Sequence, residues 1–309
     1  MLIAGAGLAG IGAVASRGAI ATPPLVQAAG IGGTTLPVQA IEQIMETNNA
    51  TVMDGVLTIE LDRNDLHVIG PHGIPFKPAW ELNGEFFFQP LGNGKVLLNG
   101  DFPVLPQEAN PFIDKLFAGG LVFQAFHQHF FGLQPMVFFI HFRGIGDPLQ
   151  LARAIIAAVK VTGTPLPQHV PSNLTTPLPK DELARILGGT AQVGEEGVVT
   201  VSIPRANTIV LAGVPLKPET GVSVTVAFEP LDQSGKLAAV APDYALVASE
   251  VNPALMESRA LGWEIHCLYN QETDEFPQLY FSHNLKTGNP IQLAQEISKV
   301  LNKINVKRS

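Results

Sequence analysis

The feature that most constrains this chain is that its 309 residues carry one pattern twice, 142 positions apart. Leu36-Pro37 recurs as Leu178-Pro179, Gly55-Val56 as Gly197-Val198, Arg63 as Arg205, Asn110-Pro111 as Asn252-Pro253, His141 as His283, and Pro148 as Pro290. Between Gly73 and Leu91 the offset falls to 140, pairing Lys77-Pro78 with Lys217-Pro218, as a two-residue insertion near Pro71-His72 would produce. A repeat of this size requires one supersecondary pattern to be satisfied twice. The spacing predicts copy 1 over residues 34–160, a Pro/Thr-rich linker over 161–175, copy 2 over 176–304 and a tail over 305–309. The length favours two domains independently of the repeat.

Residues 1–33 read as a leader. The apolar run Leu2 to Ala15, followed by Ala19-Ile20-Ala21, matches a signal-peptide core with a small-x-small cleavage step. Gly5-Ala6-Gly7-Leu8-Ala9-Gly10 matches the dinucleotide fingerprint GxGxxG, but only four residues precede it and the first acid is Glu42, so no cofactor strand or ribose-binding acid is in place. The expectation is an exported protein, periplasmic or extracellular, with no integral membrane span after cleavage. A net charge of -8 offers no basic footprint for phosphates, which argues against a nucleic-acid partner.

Each copy reads in the same order. A short amphipathic helix (Val38, Ile41, Ile44 and Met45; Leu183, Ile186 and Leu187) precedes alternating strands near Gly55–Leu61, Leu66–Ile69, Glu85–Gln89 and Lys95–Leu98. A helix is predicted to start at Asn110-Pro111 and end at Gly119-Gly120. A hairpin follows, and Asp147-Pro148 caps a final helix. Strand, helix, hairpin, helix predicts an α+β class: a mostly antiparallel sheet of split βαβ character with helices on one face, built twice and packed as an intramolecular pseudo-dimer.

The hairpin, Leu121 to Pro148, holds the sharpest chemistry. Leu121, Phe123, Ala125, His127, His129, Val137, Phe139 and His141 are all odd-numbered, so strand alternation places them on one face. His-x-His on one strand with a histidine from its neighbour is a common way to hold Zn²⁺ or Cu²⁺ with an open coordination position. His127, His129 and His141 are therefore the candidate metal ligands, and Glu108 is a candidate general base or fourth ligand. The bland alternative is three polar residues at a fraying hairpin end. In copy 2 the matching positions are Tyr269, Gln271 and His283, and the thiol, phenol and single imidazole of Cys267, Tyr269 and His283, which share parity, make a poor metal set. Arg63, recurring as Arg205, reads as a structural ion pair, and the single Cys267 as a small buried apolar residue. Fourteen of the 17 phenylalanines lie in copy 1, which predicts core and inter-copy packing there. No Gly-x-Ser-x-Gly elbow is present to suggest a serine hydrolase.

Several of these residues together carry a family resemblance. Arg63-Asn64-Asp65-Leu66, Gly73-Ile74-Pro75, Glu108 and Glu250 before Asn-Pro, His127-x-His129, Pro135, His141 and Gly146-Asp147 resemble the LppY/LpqO family over nearly the whole mature chain. That resemblance implies a secreted or lipid-anchored bacterial protein, usually with two tandem copies, and implies no reaction. Together these readings predict an exported ligand- or metal-binding protein whose partner is a small ligand or a transition metal ion. The alternatives are a hydrolase-like enzyme that uses the same metal, and an envelope interaction protein.

Overall fold

The computed structural model describes residues 36–308. The leader, with its proposed cleavage step, lies outside the described residues. Copy 1 runs α1 (Val38–Met45), β1 (Ala50–Met53), β2 (Val56–Asp62), the short ladder β3 (Val68–Ile69) and β4 (Pro75–Phe76), β5 (Asn83–Gly92), β6 (Lys95–Val104), α2 (Pro106–Ala118), β7 (Val122–His127), β8 (Phe138–Gly146) and α3 (Pro148–Val159). Copy 2 repeats it as α4 (Lys180–Leu187), β9 (Thr190–Val193), β10 (Val199–Ile203), β11 (Val210–Leu211), β12 (Val214–Pro215), β13 (Val224–Pro230), β14 (Ala238–Val247), α5 (Ala248–Ala260), β15 (Glu264–Ile265), β16 (Glu275–Phe276), β17 (Leu279–Gly288) and α6 (Pro290–Leu301).

Two six-stranded sheets result, ordered β1-β2-β5-β6-β8-β7 and β9-β10-β13-β14-β17-β15. Both β6 and β7 run antiparallel to β8, which lies between them, so β6 and β7 are parallel and α2 is their crossover. This is the split βαβ unit, and the α+β class with duplicated antiparallel sheets is the observed fold.

One face of each sheet is helical and apolar. In copy 1, Ile59, Phe86, Leu98 and Phe142 are fully buried beneath Ile41 of α1, Phe112 of α2 and Ile155 of α3. The run Phe86-Phe87-Phe88 divides by parity: Phe86 and Phe88 enter this core, and Phe87 points to the opposite face. The final helices begin as expected. Asp147 accepts hydrogen bonds from the Leu149 and Gln150 N–H groups at 3.0 and 2.9 Å, and Asn289 does the same for α6 at 3.1 Å. Asp147→Ala should therefore cost about 1 kcal/mol of stability, read as a shift of the urea midpoint, with Asp147→Asn close to wild type because copy 2 already uses Asn there.

The second faces of the two sheets meet each other. Phe76, Trp80, Phe130 and Phe139 of copy 1 share a buried cluster with Val198, Ala239, Ala241 and Leu285 of copy 2. Polar contacts cross as well: the Gln89 side-chain amide donates to Pro215 O at 2.9 Å and its carbonyl accepts from Lys217 N–H at 2.8 Å. The expected pseudo-dimer is real, and it leaves between its sheets a cavity of ≈ 350 Å³.

Two expectations change, and two contacts add to the packing. Helix α2 starts at Pro106, not at Asn110, because Pro106 occupies the first helical position and Glu108 accepts from Leu105 N–H at 2.8 Å, which places Pro111 inside the helix. The linker is pinned: Gln168 is buried and exchanges bonds of 2.9 and 2.7 Å with the Asp62 backbone. His72 is exposed and lies 2.8 Å from Glu264 of copy 2. Finally, the register of β7 against β8 shifts between Phe123 and Ala125. The bulge at Gln124 moves Phe123 to the helical face, where it packs against Phe117, and so breaks the parity that would have put it beside the histidines.

Candidate metal centre

Strand pairing builds the site as a row. On the cavity face of sheet 1, Glu60 of β2 lies opposite Glu85 of β5, Glu85 opposite Asp101 of β6, and Asp101 opposite His141 of β8. Directly opposed residues hold their Cβ atoms about 5 Å apart, so the row is continuous. Copy 2 repeats it with Ser202, Thr225, Asp243 and His283. The duplication thus places an Asp-His pair in each sheet, Asp101/His141 and Asp243/His283, and substitutes hydroxyls for two carboxylates in the second.

The three imidazoles of copy 1 converge at the end of this row. His127 ends β7 opposite Phe139, on the same face as His141, and His129 follows in the turn. Ring centroids are 4.8 Å apart for His127 and His141 and 5.1 Å for His127 and His129, and one ligating nitrogen from each of the three lies within 4.8 Å of the others. A tetrahedral ion with bonds of about 2.0–2.1 Å would hold such nitrogens about 3.4 Å apart, within reach of small side-chain adjustments. His127 Nε2, His129 Nδ1 and His141 Nε2 are buried and have no hydrogen-bond partner. Buried polar atoms are rarely left in that state, and the three nitrogens are close enough together that they could hold one ion between them.

Copy 2 closes the site from above. Tyr269 stacks on His127 with centroids 3.5 Å apart, and its hydroxyl is 3.4 Å from His129 Nε2. His283 stacks on His129 at 3.9 Å, and its Nδ1 is 3.3 Å from Cys267 Sγ. Considered within copy 2 alone, Tyr269 and His283 make a poor ligand set. Pseudo-symmetric packing corrects this reading, because matched positions near the axis between the copies are brought together. The 142-residue offset, which matches Tyr269 to His127 and His283 to His141, is the signal in the sequence that could have found them.

Glu108 belongs to a different structure. Its two oxygens accept from Arg63 Nη1 and Nη2 at 2.9 and 3.1 Å, from Leu105 N–H and from Gly163 N–H at 3.0 Å. It is not among the residues lining the cavity. The structure therefore corrects its assignment as general base or fourth ligand, and the hydrolase-like alternative loses its base. Arg63 is the structural clamp expected, and copy 2 repeats it with Arg205 donating to Glu250 at 3.0 Å.

The electrostatics favour a cation. Burial holds the His127 imidazole down at about 4, and burial followed by the neighbouring imidazoles pushes His129 and His141 well below the ordinary range. All three are neutral at pH 7, the ligating form. The carboxyls move the other way. Burial and then the Asp243 charge raise Asp101 to about 7, and burial and then Asp101 and Asp243 raise Glu85 to about 8. Among the described residues no Lys or Arg lines the cavity to offset them.

A family model whose description reads "Domain of Unknown Function (DUF1259)" matches residues 39–161 and, separately, 181–303. Comparison with curated proteins finds no match. Among solved structures, the crystal structure of a trimeric bacterial microcompartment shell protein, PduB, aligns over 84% of this chain and 96% of its own at 12% identity. Its TM-score of 0.17 is too low to bear on the fold.

Proposed function

Since the chain belongs, through both of its copies, to that family of domains of unknown function, we propose that it is a binding protein for a transition metal ion, held by His127, His129 and His141 at the junction of the copies. The observation that carries this reading is the set of three buried imidazole nitrogens without hydrogen-bond partners. Zn²⁺ and Cu²⁺ suit an all-imidazole set. The likeness of the Arg63, His127-x-His129 and His141 motifs to the LppY/LpqO pattern, together with the leader composition of residues 1–33, supports an exported protein. Among the described residues no helix is long and apolar enough to cross a membrane.

The chain purified without a histidine tag, stripped with chelator and dialysed against Zn²⁺ or Cu²⁺, should retain the ion stoichiometrically. His127→Ala and His141→Ala should each weaken that binding by more than about a hundredfold, since loss of a supporting residue alone costs 10–100-fold. Retention of no metal by the wild type, or unchanged affinity in both variants, would remove the proposal.

A further inference from the structure

We infer that the centre has a second cation position, held across the two copies by Glu81 of copy 1 and Asp243 and His283 of copy 2, with His129 between the two positions. One ligand atom from each of Glu81, His129 and His283 lies within 4.8 Å of the others. The geometry around His283 is specific. Its Nε2 is 3.8 Å from Glu81 Oε2 and also 3.8 Å from Asp243 Oδ2. Those separations are too long for hydrogen bonds, and they fit groups arranged about a common ion after a small closure. Asp243 Oδ1 and His129 Nδ1 are buried without a partner, and His283 and His129 are 3% and 6% exposed.

The repeat sharpens the assignment. Asp243/His283 is the second copy of Asp101/His141, where copy 1 adds His127 and His129. Copy 2 has Tyr269 and Gln271 at the added positions, and Glu81 reaches over from copy 1 instead. Glu81 sits at a left-handed φ of 66°, and its counterpart at the 140 offset is Gly221 at φ 78°. Glycine takes that conformation freely and glutamate does so only at a cost. A carboxylate kept in copy 1 where glycine would fit better is explained if its oxygens are needed. The donor set of two carboxylates and imidazole is harder than three imidazoles and suits Mn²⁺, Fe²⁺ or Zn²⁺. This position shares His129 with the three-imidazole one but takes its other donors elsewhere, so the two stand or fall separately.

The test counts metal in the full, untagged chain, stripped and then equilibrated with Zn²⁺ or with Mn²⁺, using elemental analysis and calorimetry. Wild type should hold two Zn²⁺ per chain and one Mn²⁺. Glu81→Gln and Asp243→Asn, both close to isosteric, should each reduce Zn²⁺ to one and abolish Mn²⁺ uptake, with circular dichroism and the urea midpoint confirming the fold. His127→Ala should also leave one Zn²⁺ and keep Mn²⁺ uptake intact. A single Zn²⁺ that disappears in His127→Ala and persists in Glu81→Gln and Asp243→Asn overturns the second position and leaves the three-imidazole site standing. A single Zn²⁺ lost in Glu81→Gln and retained in His127→Ala supports the second position and removes the first, and no Zn²⁺ in the wild type removes both.

Discussion

Arg63→Ala should lower the free energy of unfolding by about 3–5 kcal/mol, the usual cost of removing one partner from a buried ion pair. The Arg63 side chain is fully buried and donates to Asp65 at 2.9 Å, to Glu108 at 2.9 and 3.1 Å, and to the Pro103 carbonyl at 2.6 Å. Deleting it leaves two carboxylates, Asp65 and Glu108, without their cation and the Pro103 carbonyl without its donor, and it disconnects the β2 end, the β6 end and α2 at one point. Arg63→Lys should rescue little, because an ammonium cannot reproduce the planar fork. Urea unfolding of the full chain measures both, and a loss below about 1 kcal/mol for the alanine variant would show that the clamp is dispensable. Glu108→Gln should likewise destabilise the fold while leaving metal uptake unchanged, as befits a clamp residue rather than a base.

The metal-free protein should lose stability as pH rises from about 6.5 to 8. Glu85 ionises near 4.5 in an open chain and near 8 in the folded one, raised first by burial and then by the charges of Asp101 and Asp243. Glu60 is raised to about 7 by burial and then by Glu85. At these carboxyls the folded state binds more protons than the unfolded state, so the stability they permit is complete below about pH 4.5 and is lost as pH climbs through 7 and 8; the buried histidines, held below their ordinary range, act in the opposite direction below about pH 6.5 and are neutral in both states above it, which leaves the carboxyls alone to set the slope there. Solvent at the cavity mouth screens part of the repulsion, which puts the slope on the order of 1 kcal/mol per pH unit. Glu85→Gln should flatten the profile and be more stable than wild type at pH 8 in the presence of chelator. Urea midpoints at several pH values decide it: a variant that tracks the wild-type curve would mean that Glu85 is not under this strain.

Much of the fold was legible because duplication and alternation are both arithmetic. The offset of 142 paired Pro148 with Pro290, which begin the two matching final helices, and Arg63 with Arg205 as matching clamps. Strand parity brought His127 and His141 to one face. It failed at Phe123, because a bulge adds one residue without any signature in an apolar run, and Gln124 carries no glycine or proline to mark it. Helix α2 was placed too late because Asn110-Pro111 is a stronger start signal in isolation than Leu105-Pro106. Glu60, Glu85 and Asp101 were overlooked for a deeper reason. The polar face of an antiparallel sheet ordinarily faces water, and only the second copy stacked on top turns those carboxylates into a cavity wall. The same stacking recruits Tyr269, His283 and Glu81, whose roles cannot be read from either half alone.

The covalent join between the copies has a consequence for how such a centre can diverge. In a symmetric pair of identical chains every substitution near the axis is made twice, so an acidic row on one wall forces an acidic row on the other. Here the two walls are encoded separately: Glu60 and Glu85 are matched by Ser202 and Thr225, His127 by Tyr269 and Glu81 by Gly221, all of them lining the cavity or stacked at its end. Fusion lets one wall accumulate charge while the other stays neutral, an asymmetry that a homodimer could not encode.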